Sequence, residues 1–437
     1  MVLLRRRAKG AGYPSLAMTA IFAAALLLGQ TQPASRFDLG VRLKALEAAW
    51  LSSTPQAKGK AVTPITSSVM SFFSGSFGIA CQNLDQASAI LDGRALSAGD
   101  ALTFRQDPAS VSSEDGIVLQ GAWAYAPTEP LDAQKAVIEA EGMRFQATYP
   151  SPIKIPLPSS SIVRGEGAVT IKINGRTAKI VADHLPGLDN RLENLKSAES
   201  QLTAPLLDLI EAQRTGKAET DVPLSPTLKL AEDLASGNAI PEKVREWPLA
   251  KQGRTLFRAS FPEKIATDET LVIALHGAGG SENLFYEGYG LGMAVKESLK
   301  RGWVFTSPRS APSAPADVLA WMKSIRNWNP KRVIVMGHSM GGALALQTGA
   351  LTPKPSALVL FAPAGRSVPP ALQDVPLFLA VGRQEIMMLG ASAEAIKTQM
   401  SAAKGFKHML VDPCEHLMIV AEALPEAFKW LDQTLNH

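Results

Sequence analysis

Apolar residues recur at helical spacing in the first part of this chain, then at strand spacing, then in alternating blocks of both kinds. Within residues 36 to 53, Leu39, Leu43, Leu46 and Trp50 fall on one face of a helix, and Val69, Phe73, Phe77, Ala80, Leu84, Ala87 and Leu91 make a second, longer stripe. Both predict packing helices. From about Ala101 the texture changes to short β-type runs, Gly116 to Trp123 and Phe145 to Tyr149 among them, separated by Pro, Ser and Gly clusters. Ala168 to Ile173, Asn174-Gly175 and Arg176 to Val181 predict a hairpin, because Asn-Gly suits a two-residue type I′ turn. Helical patterning returns from Leu188 to about Ala212, and again where Ser225 can cap, Pro226 open and Gly237 close a short helix.

From Trp247 onward the pattern is strand, helix, strand, helix, which predicts a parallel sheet covered on both faces. The strands fall at Arg254 to Ser260, Leu271 to Leu275, Val304 to Thr306, Arg332 to Met336, Ala357 to Phe361, Leu377 to Val381 and His408 to Val411. Helical stretches lie between them, such as Asp317 to Trp328, Ser392 to Ala403 and Ala421 to Leu435.

One strand end carries chemistry. Lys331 to Gly342 reads KRVIVMGHSMGG, a short β-branched run that stops at Gly337-His338-Ser339-Met340-Gly341. This is G-x-S-x-G: small residues two before and two after the serine let the chain reverse from strand to helix, with Ser339 exposed at a strained apex. Ala343 to Leu346 continue as a helix whose N-terminal amides point back at the serine.

With that elbow between strand and helix, residues 245 to 437 resemble a compact α/β-hydrolase domain, close in pattern to small serine esterases of the carboxylesterase, phospholipase and dienelactone-hydrolase type. The resemblance covers the second half only. In it, Leu271 to Leu275 runs into His276-Gly277-Ala278-Gly279-Gly280, similar to the family's oxyanion loop. The amides of Ala278 and of Met340 match the oxyanion-hole donors. The resemblance also places the acid three residues after Gly382, at Glu385, although aspartate is commoner there. Asp374 and Asp412 are the rival carboxylates. The base belongs on the loop after the last strand, Asp412-Pro413-Cys414-Glu415-His416-Leu417. The chain has 6 histidines. His338 lies inside the elbow, His408 in a strand, His437 at the end and His276 before the oxyanion turn, so His416 is selected by elimination as well as by motif. His184 stands by itself in the first half and receives no role.

Charge changes the picture little. The N-terminus reads MVLLRRRAKG, followed by an apolar run from Leu16 to Gly29 and then GQTQPASR, the layout of a secretory signal peptide. The run falls short of the roughly 18 to 20 residues of a membrane span. Arg5, Arg6, Arg7 and Lys9 account for the whole formal charge of +4, so the remainder is neutral and nucleic acid is not expected as a partner. Cys81 and Cys414 permit an oxidising compartment; the expectation is two separate buried thiols, with a disulfide as the alternative. Residues 36 to 245 contain no repeat, metal-ligand cluster or phosphate loop.

The resulting expectation is an α/β chain: a signal peptide at 1–35, a β-rich module with flanking helices at 36–245, and an α/β-hydrolase domain at 246–437 whose mostly parallel sheet has helices on both faces. The resemblance implies a secreted or periplasmic serine esterase with a triad of Ser339, His416 and Glu385 and no metal or organic cofactor. The substrate is a small-molecule or polymer ester, and an uncleaved leader would tether the chain to a membrane. A prolyl-oligopeptidase-type peptidase and a non-catalytic binding protein on the same fold are the alternatives. The connection from Ala362 to Pro376 is too short for a cap domain, which predicts an open cleft unless the N-terminal module covers it. Phe285, Tyr286, Tyr289, Met387 and Met388 are placed to line an acyl pocket, or else belong to the core.

Overall fold

The computed structural model describes residues 34–435, apart from 108–109, 114–115, 128–133, 141–142, 150–152, 156–168, 174–175, 181, 199–202 and 216–221. The predicted leader and the Asn174-Gly175 turn lie outside the described residues. Among the described residues no helix is long and apolar enough to cross a membrane.

Eight strands form the central sheet: β8 (Glu246–Gln252), β9 (Thr255–Ser260), β10 (Thr270–Leu275), β11 (Val304–Pro308), β12 (Arg332–His338), β13 (Ala357–Phe361), β14 (Leu377–Gly382) and β15 (Phe406–Val411). Their spatial order is β15-β14-β13-β12-β10-β11-β9-β8. The six from β10 to β15 are parallel, and β9 and β8 add an antiparallel edge. Strand β8 was not anticipated; the other seven match the sequence expectation closely. Strands β10, β13 and β14 are buried at every position, which is why they read as unbroken apolar runs instead of alternating ones.

Alternate residues of those runs feed two different cores. Leu271, Ile273, Leu275, Val333 and Val335 join one, and Val272, Ala274, Ile334, Met336 and Phe361 the other. The N-terminal helices contribute to both. Helices α1 (Arg36–Ser52), α2 (Pro55–Phe73) and α3 (Phe77–Leu91) place Leu46, Trp50, Ala61, Val62, Ile65 and Leu84 in the second core. Helices α4 (Leu188–Ser197), α5 (Ala204–Arg214) and α6 (Leu224–Ala235) pack Leu192, Leu206, Ile210 and Leu228 into the first.

Only the strands between these helices stand apart from the large sheet. Strands β1 (Leu102–Gln106), β2 (Ile117–Trp123) and β5 (Ile153–Ile155) make a three-stranded antiparallel sheet. Strands β3 (Gln134–Ala140), β4 (Met143–Tyr149), β6 (Val169–Ile173) and β7 (Arg176–Ile180) make a four-stranded one, with β6 and β7 paired as the hairpin pattern predicts.

Several helix boundaries differ from expectation for local reasons. The long stripe of Val69 to Leu91 is two helices, broken at Ser74-Gly75-Ser76, where Gly75 takes φ 75°. The segment from Leu188 is likewise two helices. Helix α6 starts at Leu224, not at Pro226, because the Asp183 carboxylate accepts hydrogen bonds from the Leu224 and Ser225 amides at 2.6 and 3.0 Å. That cap comes from 41 residues away and leaves no local trace. Cys81 and Cys414 are both buried thiols with no disulfide between them, so the bridge alternative falls.

The remaining helices are α7 (Leu284–Glu287), α8 (Met293–Lys300), α9 (Ala314–Arg326), α10 (Met340–Ala345), α11 (Met387–Met400) and α12 (Ile419–Leu435). Helix α1 is fastened to α12 and to the turn before α8. Trp50 Nε1 donates to Glu422 at 2.7 Å, and Glu47, fully buried, accepts from the Gly290 amide at 3.0 Å. Trp50→Ala should remove about 3 to 5 kcal/mol of stability. Urea unfolding followed by both far-UV circular dichroism and tryptophan fluorescence should give one shared transition, whereas an early transition confined to the N-terminal helices would refute the shared core.

Candidate active site

The parallel register brings the carboxyl ends of the strands to one edge. Leu275 at the end of β10 is paired with Gly337, His338 of β12 with Phe361, and Gly382 of β14 with Val411. Each of the loops singled out in the sequence leaves from this edge.

Strand β12 reverses into α10 at Ser339, whose φ of 53° and ψ of −115° lie outside the regions open to L-residues. Such a conformation costs about 1 to 3 kcal/mol and persists because the surroundings over-determine it. Ser339 N donates to Phe361 O at 3.0 Å, and Ala364 N donates back to Ser339 O at 2.9 Å. The turn is also too tight for side chains at its ends: a Cβ on Gly341 would sit 2.0 Å from Leu275 O, and one on Gly337 would sit 2.3 Å from Gly341 O. Only glycine permits that approach.

The loop after β10 lies against the elbow, since a Cβ on Gly277 would be 3.3 Å from Ser339 Cβ. Its His276 is structural. Ser310 N donates to Nε2 at 3.0 Å, so the proton is on Nδ1, which donates to Gly277 O at 2.8 Å. Ala278 is exposed, and Met340 opens α10, where amides have no acceptor within the helix.

The other two loops are zipped together. A Cβ on Gly382 would be 2.4 Å from Cys414 O, Gln384 N donates to Cys414 O at 3.0 Å, and Cys414 N donates to Gln384 Oε1 at 2.8 Å. That contact brings Glu385 Oε1 to 3.1 Å from His416 Nδ1, with both side chains almost fully buried. The separation is that of an ion pair, but the ring N–H is not aligned on Oε1, and Glu385 Oε2 has no partner. Oε1 instead takes the Ile386 amide at 2.8 Å. Of the rival carboxylates, Asp374 is paired with Lys354 at 2.6 Å and Asp412 with Arg383 at 2.8 Å, both at the surface.

Two further residues support the constellation. His338 donates from Nε2 to the His416 carbonyl at 2.9 Å, which leaves Nδ1 to accept the Tyr289 hydroxyl proton. Burial, followed by the neighbouring His416, holds His338 well below the ordinary histidine range, so it stays neutral. The Tyr289 hydroxyl also receives the Gly277 amide at 3.5 Å, tying the loop after β10 to the histidine pair. Sequence reasoning set His338 aside because it could not be the base, and nothing in the sequence links Tyr289 to it. Phe285 and Tyr289 are buried core residues and Tyr286 packs half-buried against the same core, whereas Met387 and Met388 are 86% and 68% exposed beside Glu385. Among the described residues, no group of three or more His, Cys, Asp and Glu side chains could hold a metal ion.

The sequence pattern of the alpha/beta hydrolase family matches residues 252–431, the stretch that carries β9 to β15. The C-terminal half is an α/β-hydrolase domain. Among solved structures, the hydrolase domain is similar to a dienelactone hydrolase from Anabaena variabilis, at 16% identity, covering 44% of this chain and 98% of that one with a TM-score of 0.37. It is also similar to the esterase Pf2001 of Pyrococcus furiosus, at 14% identity, covering 44% of this chain and 92% of that one with a TM-score of 0.35. Est1E from Butyrivibrio proteoclasticus matches at 13% identity over 44% of this chain and 100% of its own length, with a TM-score of 0.37. No curated protein matches the chain.

Next to His416, the hydrolase domain buries a second carboxylate. Glu415 accepts from the Leu417 and Met418 amides at 2.7 and 3.1 Å, at the head of α12. Desolvation pushes it up to about 7 from the ordinary 4.5, against the opposing pull of those amides. An acid whose folded pKa is raised contributes most stability below its unfolded pKa and loses it as pH rises through the folded one. Glu415 should therefore cost stability progressively between pH 4.5 and about 7, by roughly 3 kcal/mol in total. Comparing urea midpoints of the native chain and Glu415→Gln across that interval should show the native chain losing ground as pH rises; parallel curves would refute the assignment.

Proposed function

We propose that the chain is a serine hydrolase of carboxylic esters, working through an acyl-enzyme. The observation that carries this reading is a strained, positive-φ serine at a strand-to-helix elbow on the same sheet edge as a buried imidazole and carboxylate 3.1 Å apart. The fold by itself hosts many activities, so the argument rests on the site.

Ser339 Oγ attacks the ester carbonyl while His416 takes its proton; a free hydroxyl is too weak a nucleophile at neutral pH. Glu385 orients the imidazole and stabilises the imidazolium, and its loose alignment in the resting state tightens as positive charge develops on the ring. The tetrahedral oxyanion accepts hydrogen bonds from the Ala278 and Met340 amides, each such donor contributing about 3 to 4 kcal/mol to the transition state. Collapse breaks the bond to the alcohol oxygen, which leaves with the proton from His416. Water, deprotonated by the same histidine, then attacks the acyl-enzyme and releases the carboxylic acid and Ser339. His338 and Tyr289 act through His416 and the oxyanion loop and do not touch substrate.

Two sheets, of three and four strands, precede the hydrolase domain among the described residues, without a radial arrangement of blades. This favours esters over the prolyl-peptidase reading. Export is part of the proposal, on the pattern of residues 1–35.

A fluorophosphonate probe should label the purified chain, and Ser339→Ala should abolish both the label and the turnover of aryl esters. His416→Ala should cost on the order of 10⁶ in kcat and Glu385→Ala on the order of 10⁴. Asp374→Ala and Asp412→Ala should retain activity. Strong labelling of Ser339→Ala would sink the mechanism, and cleavage of a prolyl peptide would replace the substrate class. Export is checked separately by sequencing the N-terminus of chain recovered outside the cytoplasm: a start near residue 35 is expected, and an intact leader in the membrane fraction would indicate a tether.

A further inference from the structure

The N-terminal helix α2 touches two of the loops at the carboxyl edge of the sheet. Near its start, a Cβ on Gly59 would lie 4.0 Å from Pro413 Cβ, on the loop that carries His416. Near its end, Phe72 stands over Gly279, on the loop that carries Ala278. Thirteen residue steps separate those contacts, about 20 Å of helix, so α2 reaches from the histidine loop to the oxyanion loop. The histidine loop and the loop after β10 are thus each touched by the chain's own N-terminal half.

The contact at Gly279 is intimate. A Cβ there would be 2.2 Å from Phe72 Cζ and 2.7 Å from Cε2, so the ring edge occupies the place of the missing side chain. Gly279 also takes φ 78°, which a glycine tolerates. Phe72 is stacked on Phe77 at 5.7 Å between centroids and meets Phe73 edge-on at 5.5 Å. The helix break at Ser74-Gly75-Ser76 is what folds Phe77 back onto it. Phe72 is half-buried, Phe73 is 57% exposed and Met70, on the same last turns, 54%. Apolar surface left partly open one residue from an oxyanion donor is surface that a hydrocarbon arm of the substrate can cover.

We propose that Phe72 is a specificity-determining residue of the hydrolase site, roofing the oxyanion loop from the N-terminal helix and taking the apolar arm of an ester substrate against its ring. This rests on the serine-esterase reading above. The arm is a hydrocarbon or aryl chain on either the acyl or the alkoxy side of the ester. The N-terminal helices thereby complete the pocket as well as the core.

The test uses the full chain and two ester series: p-nitrophenyl esters from acetate to octanoate, and acetates of alcohols from ethanol to octanol. In the native chain kcat/KM should rise about fourfold for each methylene that reaches the ring. Phe72→Ala should lower the octanoyl-to-acetyl or octyl-to-ethyl preference by on the order of tenfold, and Phe72→Leu should restore part of it. The series that responds identifies the arm. Labelling of Ser339 by a small fluorophosphonate is measured on each variant: no labelling of the native chain would defeat the esterase reading itself, independently of Phe72. Should Phe72→Ala fail to fold by circular dichroism, Phe72→Leu and Phe72→Trp decide through the same ratios. Unchanged ratios in the folded variants, including a uniform loss on every ester, would overturn the proposal and leave Phe72 a packing residue.

Discussion

Backbone touches backbone at the carboxyl edge of the sheet, and the rest of the site depends on that approach. The elbow is pressed under the end of β10 so closely that a Cβ on Gly341 would be 2.0 Å from Leu275 O, and the acid loop is pressed onto the histidine loop so closely that one on Gly382 would be 2.4 Å from Cys414 O. These crossings hold the positive φ of Ser339, set the loop after β10 beside it and bring Glu385 to His416. Their geometry is carried by rigid strands, with no long flexible side chain needed to reach across. A site built this way is organised before substrate arrives, which is what electrostatic stabilisation of a developing oxyanion requires.

Around that edge lies a shell of buried hydrogen bonds that extends into the N-terminal half. Tyr289 joins the loop after β10 to His338, and His338 joins Tyr289 to the His416 backbone. The turn that holds Tyr289 departs from the ordinary backbone regions over Tyr289, Gly290 and Leu291, all at positive φ. Its amides point at Glu47 of α1, a fully buried carboxylate that desolvation pushes up to about 7 from 4.5 while those amides pull it down. A residue more than two hundred positions upstream thus steadies a turn that supports His338 and, through it, the His416 backbone. The helices of residues 36–91 share the core of α12 and the sheet, and those of 188–235 share the opposite core, so they are structural parts of the hydrolase layers.

Sequence by itself determined the sheet, the elbow and the order of the candidate triad. Those features are written locally: a strand buried on both faces must be a short unbroken apolar run, and a turn too tight for Cβ atoms must be glycine. What only the tertiary structure decided is whatever joins residues distant in the chain. The Asp183 cap that starts α6 early, the His338–Tyr289 link, the anchoring by Glu47 and Trp50, and the placement of Phe72 over Gly279 all pair groups that leave no periodicity or motif behind. An apolar Phe72 on an amphipathic helix reads as core, because hydrophobic pattern records that a face is covered and not what covers it. The tertiary fold alone chose the loop after β10 as its neighbour, by bringing the end of α2 onto Gly279.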